Sequence, residues 1–118
     1  MKTTKKPKLY YKFYQTLKFL YDGIENFEKQ YKYSLGKEIL KVTWKCTDLI
    51  IEANALNKKE KHNKIKDLSI TFDKLKIRLR MAQELKQLSK GQYSHLQTEY
   101  LKEVGQLIGG WVNWSNNE

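Results

Sequence analysis

The chain has 118 residues, room for one domain with a modest core and too few for two packed ones. Lysine and arginine number 23 against 13 acids, a net charge of +10 that favours nucleic acid or another polyanion as partner and says nothing about fold. A single cysteine excludes an internal disulfide and fits a reducing compartment, and no apolar run approaches the roughly 20 residues of a membrane span.

Residues 1–8 are basic and lead into no apolar run, so they read as a flexible basic tail and not as a secretion signal. Residues 9–118 read as one helical domain, because every long segment beyond Pro7 has helical periodicity and none alternates like a strand. The first helix is expected over residues 9–29, with Tyr10, Phe13, Leu17, Leu20, Ile24 and Phe27 on one face. The second is expected to start after Ser34 as N-cap, carrying Leu35, Ile39, Val42, Cys46, Leu49, Ala53 and Leu56. The run at residues 57–63, Asn-Lys-Lys-Glu-Lys-His-Asn, breaks the pattern and reads as a solvated loop. The third helix carries Ile65, Leu68, Phe72, Leu75, Leu79 and Ala82 and is expected to end near Leu88, with Gly91 just beyond. The fourth is expected after Ser94, whose spacing to Gln97 is that of a capping box, with Leu96, Tyr100, Val104, Leu107 and Trp111 on its stripe. Four such helices with short connections predict an all-α, antiparallel up-and-down four-helix bundle.

One stripe per helix suffices for a monomer, yet three helices carry a second. Leu40, Trp44, Ile51 and Ala55 lie roughly opposite the core stripe of the second helix; Ile70, Ile77, Met81 and Leu88 do so on the third. Leu101, Gly105, Ile108 and Val112 flank the stripe of the fourth. Contiguous exposed apolar stripes mark an interface, unless the bundle absorbs them as a wider core. The expected interface set is Leu40, Trp44, Ile51, Ile70, Ile77, Met81, Gly105 and Gly109, in a ring-like homo-oligomer or against a large protein partner. Gly105 and Gly109 share one side of the last helix, where the missing Cβ atoms let another backbone approach; the competing reading is that Gly110 ends the helix and Trp111 folds back.

The positive charge is uneven. Residues 64–90 hold eight basic and three acidic side chains, whereas the last 28 hold one lysine against three glutamates. The candidate nucleic-acid contacts are therefore Lys58, Lys59 and Lys61 in the expected loop and Lys66, Lys74, Lys76, Arg78 and Arg80 on the third helix. Such arrays bind phosphate backbones with affinity that falls steeply with salt, although a charge run is also what any solvated helix face looks like. Tyr11, Tyr14 and Tyr21 are positioned either to stack on bases or to pack at a bundle edge.

Recognisable catalytic chemistry is missing from the sequence. His62 and His95 belong to no metal-ligand spacing, and Arg78 and Arg80 precede His95 by well over ten residues, too far for the Arg–His motif of helical ribonucleases. Cys46 falls on a core stripe, as a buried thiol would. There is no phosphate-binding glycine loop and no serine nucleophile elbow, so neither an enzyme nor a cofactor is expected.

The stretch Leu79–Trp111 resembles the C-terminal half of the accessory variability determinant (Avd) proteins of diversity-generating retroelements, members of a wider four-helix-bundle group that includes the rRNA intervening-sequence proteins. The resemblance rests on Arg80-Met81-Ala82-Gln83-Glu84-Leu85, on Gly91-Gln92-Tyr93, and on Gly109-Gly110-Trp111, the last pointing to the retroelement branch. Phe27-Glu28-Lys29 followed by Lys32-Tyr33-Ser34-Leu35-Gly36 is similar to the family's entry to its second helix, with Glu28 where the family shows proline and Lys32-Tyr33 where it shows Arg-Phe. The resemblance implies a basic homopentamer, bacterial or phage-encoded and cytoplasmic. It would bind reverse transcriptase and template RNA or other nucleic acid, and support mutagenic cDNA synthesis without catalysing it. The alternatives are a solitary bundle of the rRNA-insert type and, as a third class, a helical RNA-processing enzyme without a familiar motif.

Overall fold

A computed structural model describes residues 7–116, and every regular element among them is helical. The elements are α1 (Lys8–Glu25), a single turn α2 (Lys29–Lys32), α3 (Leu35–Ala55), α4 (Lys58–Glu84), α5 (Lys90–Leu96), a π turn (Gln97–Leu101) and α6 (Lys102–Asn116). Of the expected basic tail, residues 1–6 lie outside the described residues; Pro7 occupies the N-cap position of α1.

The four long helical arms run antiparallel, as cross-helix partners show. Between α3 and α4, Glu52 meets Lys64 near their connection and Glu38 meets Arg78 far from it. Between α4 and α6, His62 meets Ser115 while Gly105 faces Phe72. The result is a rod of 48 × 23 × 21 Å. Its core is the expected set with few changes: Phe13, Leu20, Ile39, Cys46, Leu49, Leu68, Leu75, Leu79, Leu96 and Val104 are all buried. Ile50 joins them, while Tyr10, Val42, Leu107 and Trp111 are only partly buried against the core. Thr16, Thr43 and Thr47 are buried too, each hydroxyl donating to the carbonyl four residues back at 2.6–2.9 Å.

Several boundaries differ from the sequence expectation, each for a local reason. The first helix stops at Glu25 instead of Lys29, and Phe27 turns into the core before α2. Ser34 precedes α3 but does not cap it, since its hydroxyl donates to the Gln30 carbonyl at 2.7 Å. The expected loop at residues 57–63 is the start of α4. The Asn57 side chain accepts from the Glu60 N–H at 3.0 Å, and Lys and Glu sustain the helix without an apolar stripe to reveal it.

At the other end of α4 the helix closes at Glu84, short of Leu88. Lys86 takes φ 63°, Gln87 N–H donates to Ala82 O at 2.8 Å and Lys86 N–H to Gln83 O at 2.9 Å, a Schellman closure with lysine where glycine usually stands. This turn swings Leu88 into the core, 1% exposed, and so removes it from the outer stripe. Gly91 lies inside α5, which starts earlier than expected: Ser89 and Gln92 form the capping box, and Ser94 is interior to the helix.

The π turn accounts for the last correction. A strict α-helix carries Leu96 on to Tyr100 on the same face; one residue inserted at Gln97–Leu101 instead delivers Leu101 to the core and leaves Tyr100 half-buried at the edge. Beyond it Val104 and Ile108 are buried, so Leu101 and Ile108 belong to the core and not to a flanking stripe. The helix then runs straight through Gly109 and Gly110 to Asn116, which removes the reading in which Gly110 ends it.

Candidate functional site

The expected interface residues divide in three. Trp44, Ile51, Ile70, Ile77 and Met81 are open to solvent, Ile77 at 63%, which is large for an isoleucine with nothing to cover it. Leu40 is half-buried against the core and serves the bundle first, a correction to its outward assignment. The two glycines part company. A Cβ on Gly105 would lie 3.6 Å from the Phe72 ring, ordinary contact inside the chain, whereas one on Gly109 would meet nothing within 4 Å. Gly109 thus leaves a bare strip of backbone on the outside of α6.

Trp44 is fixed in place. Its indole N–H donates to the Tyr21 hydroxyl at 2.9 Å, tying the outer face of α3 to that of α1. Beside it, Glu38, Lys41, Lys45, Asp48, Thr71, Lys74 and Arg78 line a groove of about 940 Å³ between α3 and α4.

The eight nominated cations are not equivalent. Lys58 and Lys61 fold onto the end of α6. Lys58 Nζ lies 4.8 Å from the centre of the Trp114 ring, and Lys61 Nζ lies 5.4 Å from that ring and 5.9 Å from Trp111. Lys76 sits 5.0 Å over Phe72 and pairs with Asp73 at 3.3 Å. Arg80 is held by Glu84 at 3.1 Å, one turn on. Arg78 spans the α3–α4 groove: one terminal nitrogen donates to the Lys74 carbonyl at 2.9 Å, and Nε lies 3.4 Å from Glu38, within ion-pair range but outside hydrogen-bond geometry. Lys59, Lys66 and Lys74 are exposed and form no ion pair among the described residues.

At about 100° per residue Lys59, Lys66, Ile70, Lys74, Ile77 and Met81 occupy the outward side of α4. The apolar and basic residues of this helix are thus interleaved on one face. Sequence reading assigned them to two functions and did not show that they share a surface. It also missed Trp114 and Trp111 as seats for Lys58 and Lys61, because 50 to 56 residues separate the partners.

This outward face, the bare glycine strip and the Gly-Gly-Trp passage of α6 sit in a chain whose residues 9–115 match the family model described as bAvd-like. The chain belongs to the bAvd-like family. Its resemblance to Avd proteins, first visible in Arg80–Leu85 and Gly109–Trp111, therefore holds over nearly the whole bundle. No curated protein and no solved structure was matched in the corresponding searches. Within this Avd-like chain the family motifs now have places. Gly36 is pressed against α1 and α2, where a Cβ would meet Ile24 at 2.7 Å and the Tyr31 carbonyl at 3.3 Å. Gln92 closes the capping box of α5.

No group of three or more His, Cys, Asp or Glu among the described residues could hold a metal ion. Cys46 is sealed in the core, and burial pushes its thiol up to about 12, far from a reactive thiolate. No helix among the described residues is long and apolar enough to cross a membrane.

Proposed function

We propose that this protein is a non-catalytic accessory factor of a diversity-generating retroelement, which assembles as a homo-oligomeric ring and binds reverse transcriptase and template RNA. The observation that carries the reading is the outward face of α4, in a chain of the bAvd-like family: Ile70, Ile77 and Met81 uncovered, with Lys66 and Lys74 uncommitted between and beside them. Buried apolar contact supplies the association, and long lysine stems reach from its rim towards phosphate. The outer face of α3 at Trp44 and Ile51 and the glycine strip of α6 supply the remaining contact area. A pentamer is the stoichiometry that the Avd resemblance implies.

Native mass spectrometry tests the assembly and salt-dependent RNA binding tests the partner. The wild-type chain is expected at a multiple of its 14.1 kDa mass, and Ile77→Glu or Trp44→Glu at that mass. Lys66→Glu with Lys74→Glu is expected to weaken RNA binding and to lower the slope of log affinity against log salt by about 2. A monomeric wild-type chain, or an unchanged slope, refutes the corresponding half of the reading.

A further inference from the structure

Away from α4, a cleft of about 450 Å³ opens between α1 and the α5–π segment, lined by Lys12, Gln15, Lys18, Phe19, Asp22, His95, Glu99 and Tyr100. Three rings form its wall. Phe19 lies 5.4 Å from both His95 and Tyr100, and His95 lies 5.8 Å from Tyr100, at interplanar angles of 36°, 40° and 75°. None is stacked flat on another; His95 is exposed, and Phe19 and Tyr100 are partly buried against the core. The Lys12 ammonium stands 5.4 Å over Tyr100.

Tyr100 reaches this wall through the π turn: without the inserted residue its helical phase would point it to the core. π insertions are uncommon and recur at functional sites. The charge of the lining is balanced, two lysines against Asp22 and Glu99, and Lys12 is already paired with Glu103 at 3.2 Å. A polyanion gains little there. A flat, uncharged ring with polar edges gains stacking on the aromatic wall, and its edges meet the Gln15 amide and the two carboxylates.

We propose that this cleft takes an unpaired nucleobase, stacked among Phe19, His95 and Tyr100. The base belongs either to a single RNA strand or to a free nucleotide. The proposal deepens the nucleic-acid reading above and rests on it for the ligand class. It adds a contact to bases where the face of α4 offers contacts to phosphate.

The test compares two fluorescein-labelled single-stranded RNAs of equal length on the full chain, one with its bases and one abasic throughout. The base-bearing strand is expected to bind at least about five-fold tighter, the loss typical of one stacking contact. Tyr100→Ala and His95→Ala are expected to shrink that ratio towards one, and Tyr100→Trp to keep it; His95 is exposed, so its variant guards against a folding defect, which circular dichroism also checks. Lys66→Glu with Lys74→Glu is expected to weaken both strands equally and leave the ratio intact. Competition by millimolar AMP identifies a free nucleotide as sufficient, and competition by RNA alone identifies the strand. A ratio of one for the wild-type chain with the Tyr100 and His95 ring resonances unshifted by AMP, or a ratio that both ring variants leave unchanged, overturns the proposal while leaving the phosphate face standing. If neither strand binds, proton NMR of the chain with AMP decides: shifted ring resonances of Tyr100 and His95 keep the cleft and sink only the phosphate face, and unshifted ones sink both.

Discussion

The Glu28 backbone N–H donates to the Gln87 side-chain oxygen at 2.7 Å, joining two connections 59 residues apart. The same Gln87 side chain donates from Nε2 to the Leu85 carbonyl at 3.1 Å, so this nearly buried amide caps α2 with one end and braces the closure of α4 with the other. Gln87→Ala removes both bonds at once. It is expected to cost about 1–2 kcal/mol, read as a fall of roughly 4–8 °C in the midpoint of thermal unfolding. Gln87→Glu keeps the acceptor but turns a carboxylate oxygen towards the Leu85 carbonyl in a nearly buried site, and is expected to cost at least as much as Gln87→Ala at neutral pH.

Lys86 occupies left-handed backbone, φ 63°, to close α4. A side chain there costs of the order of 1 kcal/mol that glycine does not. Lys86→Gly is expected to stabilise the chain by about that amount in urea unfolding. No gain in midpoint would mean that the lysine makes compensating contacts at the turn.

Gly36 and Gly109 predict opposite outcomes for the same substitution. At Gly36 a methyl group would strike Ile24 and the Tyr31 carbonyl, so Gly36→Ala is expected to destabilise by about 1–3 kcal/mol. At Gly109 the space is open, so Gly109→Ala is expected to stabilise the isolated chain by about 1 kcal/mol through helix propensity. If the glycine strip meets another copy, the same variant weakens the oligomer, which analytical ultracentrifugation measures separately from unfolding.

Glu103 ties α6 to α1, with Lys8 and Lys12 each 3.2 Å away. Hydrogen bonds from Lys12 and then Lys8 hold its carboxyl below the ordinary 4.5. Because the folded value is the lower one, the tie stabilises the fold above pH 4.5 and is lost as pH falls through the folded value. Thermal melts of wild type and Glu103→Gln should therefore differ at neutral pH and converge under acid. The gap at neutral pH should be modest and should shrink in high salt, since the pairs are partly open to solvent.

The order of the helices, most of their core residues and the outward apolar residues of α4 were legible in the residues themselves, because apolar spacing of three and four is enough to phase a helix. Ile65, Leu68, Phe72, Leu75, Leu79 and Ala82 are buried as their spacing requires, and Ile70, Ile77 and Met81 are exposed as theirs does. The Avd likeness was equally local, carried by short runs such as Gly109-Gly110-Trp111. Tertiary structure decided the rest. Whether Leu88 faces out depends on Lys86 entering left-handed backbone, which no propensity favours and which Gln87 braces from the far side of the turn. Whether Tyr100 or Leu101 enters the core depends on one inserted residue, and burying leucine in place of a tyrosine hydroxyl settles it. The cleft of Phe19, His95 and Tyr100 and the pairing of Lys58 and Lys61 with tryptophan join residues far apart in the chain, so only the packed helices bring them within reach.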